Sequence, residues 1–145
     1  MKRPKIFLDS SVIIAGLIST TGGSAQILQL IESKKLLGLV NITVLTEVEN
    51  NLIRKIPDLL PYFRKLILNQ FFNIVPDKVV IPSDQLIELI PKKTDLIILR
   101  TAQEHNCTLL TLDKKHLLKE DIQNRSNTEI CTPGEFLQRY NLSRS

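Results

Sequence analysis

The chain has 145 residues, 43% hydrophobic and 23% charged, with a formal net charge of +4. That length suits one domain over residues 1–145, whose core buries roughly 70% of the unfolded chain's surface, so no disulfide or structural metal is required. No apolar run approaches the roughly 20 residues of a membrane span, and the run behind the basic start Met1-Lys2-Arg3-Pro4-Lys5 is cut at Asp9-Ser10-Ser11, too early for a secretory leader. A cytoplasmic location without a membrane is therefore expected, and the mild positive balance is compatible with an anionic partner such as nucleic acid.

Ile6-Phe7-Leu8 is a short apolar run ending at Asp9 and reads as a buried strand. A helix is predicted from Val12 to Ile18, punctuated by Gly22-Gly23, with Ser24 as the expected N-cap of a second helix. Leu37 to Val40 is the second strand. A third helix is predicted over Thr43 to Lys55, with Val44, Leu45, Val48 and Leu52 at helical spacing. Pro57 and Pro61 stand where a fourth helix begins, a position that tolerates proline, and that helix runs through Tyr62 and Leu66 to Phe71. Asn73-Ile74-Val75 is the third strand, and Ser83 is expected to start a helix through Leu89.

Thr94 can cap a helix from Asp95 to His105, and Thr108 to Leu112 is a fourth strand ending at Asp113. A short helix is expected around His116 to Lys119, a fifth strand at Glu129-Ile130-Cys131, and a last helix from Pro133 to Tyr140. Strands separated by helices imply an α/β fold, a mostly parallel sheet with helices on both faces. Cys107 and Cys131 match no metal-binding spacing and are expected as small buried thiols.

Phe7-Leu8-Asp9 and Thr111-Leu112-Asp113 share a design: a buried strand that delivers a carboxylate at its C-terminal end. In open α/β sheets that edge binds ligands, above all where the strand order reverses. Each aspartate also fits a capping role, since Asp9 and Asp113 precede helices and Asp95 lies in a first turn. If they converge, two unit charges about 5 Å apart repel by roughly 3 kcal/mol at an effective dielectric of about 20. Such clusters are usually kept for a hard cation, and all-oxygen ligands favour magnesium or manganese. On the third helix both Glu47 and Glu49 border the apolar stripe, so spacing leaves both open.

The stretch Lys5-Ile6-Phe7-Leu8-Asp9-Ser10-Ser11-Val12-Ile13 resembles the opening strand and first acid of PIN domains, the fold of VapC-type toxin ribonucleases. Thr46-Glu47-Val48 is similar to the second acid's surroundings. Thr94-Asp95-Leu96-Ile97-Ile98 resembles the helix start bearing the third, and Cys107 to Asp113 the strand bearing the fourth. Glu129 to Leu137 resembles the closing strand and helix. The resemblance implies a three-layer α/β/α fold with a five-stranded sheet in the order 3-2-1-4-5, and it selects Glu47 over Glu49. In that order Cys107 and Cys131 are offset by about three residues, or roughly 10 Å, beyond the roughly 7 Å Cα limit of a disulfide.

The resemblance further implies a Mg2+- or Mn2+-dependent ribonuclease whose site is Asp9, Glu47, Asp95 and Asp113. Asp9 and Asp113 would be direct ligands, Asp95 a ligand or the holder of a water, and Glu47 would act through a water or a second ion. Ser10 and Thr111 offer supporting hydroxyls, and Lys92, Lys93, Lys114 and Lys115 are candidates for the RNA backbone. An antitoxin protein and helix-mediated homodimerisation are the implied partners. The competing function within the family is a PIN scaffold that binds RNA or protein without cleaving.

The chain departs from the family pattern at Ser11, where asparagine is frequent, and in Leu96-Ile97-Ile98-Leu99-Arg100, where alanine is frequent. Lys114-Lys115-His116 stands where many members carry a further acid, which leaves one or two ions open. Neither His105 nor His116 is given a catalytic role, the first reading as a helix-end residue and the second as structural. Receiver domains need paired acids after the first strand, dehalogenase-like phosphatases need an acid at Ser11, and no glycine-rich phosphate loop follows a strand.

Overall fold

Ile6, Phe7 and Leu8 are completely buried, the pattern of a parallel strand covered on both faces. The computed structural model describes residues 3–144. Along the chain lie β1 (Lys5–Leu8), α1 (Ser10–Ile18), α2 (Gly23–Glu32), β2 (Leu37–Asn41), α3 (Ile42–Lys55), a 3-10 turn (Pro57–Leu59) and α4 (Leu60–Leu68). Then follow β3 (Asn73–Val75), α5 (Lys93–Glu104), β4 (Thr108–Leu110), α6 (Glu120–Ser126), β5 (Ile130–Cys131) and α7 (Pro133–Arg144). The sheet has five strands in the order β3-β2-β1-β4-β5, every neighbouring pair parallel, with helices flanking it as expected. β1 is central, and the direction of strand addition reverses beside it, between β1 and β4.

The core gathers Ile6, Phe7 and Leu8 of β1, Leu39 and Val40 of β2, and Leu109 and Leu110 of β4. Val44, Val48 and Leu52 repeat at helical spacing along α3, and all three are buried. Glycine lets α2 approach the sheet: a Cβ on Gly38 would stand 2.6 Å from Ile31 Cδ1. No single helix among the described residues is long and apolar enough to cross a membrane. Cys107 and Cys131 are both free and buried, and the register pairs Cys131 with Leu110, three residues beyond Cys107.

Several elements differ from expectation for local reasons. α2 is capped by Gly22 at φ 96°, a turn conformation open to glycine, while Ser24 is buried inside the helix. α3 begins one residue early because Asn41 caps it, its Oδ1 accepting from Val44 N at 2.9 Å. α5 starts at Lys93, so Thr94 lies within the first turn instead of capping it.

The predicted helix over Ser83 to Leu89 is a run of turns: Asp84 Oδ1 accepts from Leu86 N at 2.9 Å, a local bond that competes with helix formation. β4 stops at Leu110, and turns occupy the expected helix at His116 to Lys119. α6 instead begins at Glu120, with Glu120 and Asp121 in its first turn and Asn127 as a left-handed cap at φ 51°.

Candidate active site

Leu8 of β1 pairs with Leu110 of β4, so Asp9 and Thr111 leave the sheet side by side. Asp9 N donates to Leu110 O at 3.0 Å, carrying the pairing one residue past the strand. This edge, at the reversal of strand order, is where α/β sheets open a crevice.

Asp9 caps α1 and lies buried at this sheet edge. Oδ1 accepts from Ser10 N at 2.8 Å, while Oδ2 accepts from Thr111 Oγ1 at 2.7 Å and Ser11 Oγ at 3.0 Å. Burial pushes its carboxyl above the ordinary range, further raised by Glu47 and opposed by the Thr111 and Ser11 hydroxyls. Thr111 Oγ1 also accepts from Asp113 N at 3.0 Å, and Ser11 Oγ accepts from Leu112 N at 3.1 Å. Two hydroxyls thus tie the first acid to the backbone that presents the fourth.

Glu47 on α3 reaches the same place. Its Oε1 accepts from Ser10 Oγ at 3.2 Å, and its Oε2 lies 3.4 Å from Lys92 Nζ. Glu49 turns to α4, where Arg64 Nη2 donates to it at 2.6 Å, so geometry separates two residues that periodicity left equal. Asn41, which caps α3, also donates from Nδ2 to Thr101 Oγ1 of α5 at 3.0 Å. That buried bond sets the helix bearing Glu47 against the helix bearing Asp95.

Asp95 lies in the first turn of α5, only 5% exposed, and its Oδ2 has no hydrogen-bond partner. Burial raises its pKa to about 6, with Lys92 pulling it down and Asp9, Asp113 and Glu47 pushing it up. The carboxylates of Asp9, Glu47, Asp95 and Asp113 therefore share one electrostatic neighbourhood. Lys92 answers it: burial would lower its pKa, but Glu47, Asp95 and Asp9 hold it above the ordinary lysine value.

Asp113 follows β4, and its Oδ1 accepts from Lys115 N at 3.1 Å and His116 N at 3.0 Å. Its Oδ2 is 3.3 Å from His116 Nδ1. One ligand atom each from Asp95, Asp113 and His116 lies within 4.8 Å of the others. The sequence alone gives His116 no role at the site; the spacing Asp-x-x-His, on a turn closed by Asp113, is the signal that points to it.

Ser11 and Asn41 were likewise missed as site-shaping residues. Of the four lysines, Lys92 enters the acidic site and Lys93 is exposed at the start of α5. Lys114 instead lines a cleft with Leu118, Ile130, Thr132 and Glu135, and Lys115 is exposed.

The donor set fits a divalent cation. A buried carboxylate oxygen without a donor is costly, and Asp95 Oδ2 is such an atom beside further carboxylates. Asp9, expected as a direct ligand, lies outside the group formed by Asp95, Asp113 and His116, but it keeps acceptor capacity, because a carboxylate offers about four lone-pair sites and three donors reach this one.

The PIN domain family model matches residues 6–120. Comparison with curated proteins finds no match. Among solved structures, the chain is similar to one in VapBC2 from Rickettsia felis bound to a DNA fragment from their promoter. The TM-score is 0.62 at 16% identity, covering 87% of this chain and 96% of that one. It is similar also to a chain of a toxin-antitoxin complex from Klebsiella pneumoniae, with TM-score 0.61, 22% identity, and coverage of 88% and 97%. At these identities the likeness is one of fold.

Proposed function

This chain belongs to the PIN domain family, and on that premise we propose that it is a Mg2+- or Mn2+-dependent endoribonuclease, the toxin of a toxin–antitoxin pair. The observation that carries the reading is the buried, donor-less Asp95 Oδ2 among the carboxylates of Asp9, Glu47 and Asp113. Fold maintenance alone gives no reason to keep so much like charge in one crevice.

Asp9, Asp95 and Asp113 would hold the ion, Asp9 being fixed in orientation by Ser11 and Thr111. When bound, the ion supplies Lewis-acid polarisation of a phosphoryl oxygen and lowers the pKa of a water. Glu47, steadied by Ser10, orients a water towards the scissile phosphorus. Lys92 is largely exposed beside Glu47 and can leave that weak pair to meet a phosphate oxygen. The net charge of +4 helps bring a polyanion to an otherwise repulsive pocket.

Single-stranded RNA incubated with the purified protein tests this directly. Cleavage is expected with Mg2+ or Mn2+, poorly with Ca2+, and not with Asp9→Asn. Undiminished cleavage in excess chelator overturns the mechanism; saturable RNA binding without cleavage in any metal points to the non-cleaving scaffold.

The partner side of the reading rests on the fold shared with the two toxin–antitoxin complexes. An antitoxin should co-purify when the product of a small neighbouring gene is co-expressed. Self-association would use exposed apolar residues such as Tyr62 and Leu68 of α4 and Ile18 of α1. A mass by light scattering that stays monomeric at all concentrations contradicts it.

A further inference from the structure

We propose that His116 is an ion ligand together with Asp95 and Asp113, and that its imidazole makes this site prefer Mn2+ and Co2+ over Mg2+. The proposal rests on the acidic site being a metal site, and goes beyond it by naming a nitrogen ligand and the selectivity that follows.

The geometry comes from the turn after β4. Asp113 O accepts from Leu117 N at 3.3 Å and Leu118 N at 3.0 Å, while Asp113 Oδ1 accepts from His116 N at 3.0 Å. Leu117 is completely buried and anchors the turn in the core. His116 is thereby held over Asp113, its Nδ1 3.3 Å from Asp113 Oδ2. Neighbouring ligands on an octahedral ion with bonds of about 2.1 Å lie roughly 3 Å apart, and opposite ligands roughly 4.2 Å. The 3.3 Å contact is close to the first spacing, and the 4.8 Å envelope of all three ligand atoms needs only a small contraction to meet the second.

A second observation points to an occupant. Asp95 is 5% exposed and its Oδ2 has no donor from the protein, whereas Asp113 and His116 are half-buried and open to an entering ion. An ion among the three would give the Asp95 carboxylate a partner and keep coordination positions for water and substrate.

The selectivity follows from ligand chemistry. Mg2+ favours oxygen ligands and retains much of its water, so an imidazole adds little to its binding. Affinity for sites with nitrogen donors rises along the first transition row from Mn2+ to Co2+. Exchanging an acid for His116 in this neighbourhood therefore weakens the advantage of Mg2+.

Calorimetric titration of the full-length protein with Mg2+, Mn2+ or Co2+ alone, without RNA, reads the effect. His116→Ala is expected to weaken Co2+ and Mn2+ binding by about tenfold or more, and Mg2+ by less than about twofold. His116→Gln, which restores size and polarity but offers no imidazole, should behave like His116→Ala. The visible absorption of bound Co2+ should change in both variants.

Equal losses for all three ions, an unchanged Co2+ spectrum, or no loss at all would overturn the proposal and leave His116 as a hydrogen-bonding partner of Asp113. If His116-dependent ion binding is found but RNA stays intact, the nuclease reading fails and the ion site stands. If Asp95→Asn abolishes binding while both His116 variants bind normally, the acidic site stands and the nitrogen ligand falls.

Discussion

Asp84 and Asp95 both meet α5, yet one is fully partnered and the other is not. Arg100 grips Asp84 with Nη2 and Nε at 2.7 and 2.8 Å, Leu86 N adds a third donor at 2.9 Å, and the guanidinium holds the Asp84 carboxyl below the usual range. Asp95 is more deeply placed, one of its oxygens has no donor, and burial raises its pKa to about 6. The first carboxylate fastens the irregular crossover between β3 and α5 to the helix. The second carries a burial cost that no donor offsets, the pattern expected of a group kept for something other than stability. On α3 the difference is one of degree: Arg64 grips Glu49 at 2.6 Å, whereas Glu47 meets Ser10 Oγ at 3.2 Å and Lys92 Nζ at 3.4 Å.

Substitutions on the two sides of that comparison should behave oppositely, and the largest effect is expected at Asp95. Asp95→Asn keeps shape and removes charge, so RNA cleavage should fall on the order of 10²-fold or more. The melting temperature should rise without metal and lose its increase with Mg2+ or Mn2+, because binding to the native state alone stabilises by mass action. Thermal melts with chelator and with metal check both; an intact metal response would show that Asp95 is not part of the ion site.

Arg100→Ala breaks the paired side instead. It strips a charged partner from Asp84 and should cost about 2 kcal/mol in urea unfolding, the scale of hydrogen bonds to charged groups. The metal-induced rise in melting temperature should survive. A variant as stable as wild type would mean that the pair is spent on nothing.

Acid titration sharpens the contrast by sign. Burial raises the Asp95 carboxyl from its ordinary 3.8 to about 6 in the fold, so between those values the native form holds the extra proton. Metal-free stability should therefore fall as pH rises from about 4 to about 6. The slope should shrink in Asp95→Asn without vanishing, because Asp9 is shifted in the same direction. Asp84 runs the other way: its contribution is present above its unfolded value and lost as pH falls through its lowered folded value. Denaturant melts across this range separate the two, and a wild-type curve flat from pH 4 to 6 would contradict the burial argument for Asp95.

The smallest effect is expected at Ser11, which serves both functions at once. Its Oγ donates to Asp9 and accepts from Leu112 N, so Ser11→Ala should cost about 1 kcal/mol in chelator. The metal response should remain, since Thr111 still orients Asp9. Loss of the metal response in Ser11→Ala would make Ser11 more than a brace.

Much of this was written in local sequence. Ile6-Phe7-Leu8 and Val44, Val48 and Leu52 show their periods directly, and burial follows from those periods. The acids Asp9, Asp95 and Asp113 were visible as charges at element ends, because covalent order alone puts a carboxylate behind a buried strand or in a helix's first turn. The sequence of elements, with the resemblance it carried, also anticipated the parallel order β3-β2-β1-β4-β5.

Tertiary structure alone decided what those charges meet. Glu47 and Glu49 are equivalent in periodicity, and only the placement of α1 and α4 sends one to Ser10 and the other to Arg64. The bond from Thr111 to Asp9 spans 102 residues of chain, and Asn41 meets Thr101 across 60. His116 joined the cluster because Asp113 closes a turn where a helix was expected. The turns at Ser83 to Leu89 likewise include Asp84, which is gripped by Arg100 from another element. Periodicity reports which face of an element is buried; which polar groups meet across the sheet edge is set by strand order and helix placement, which no local window contains.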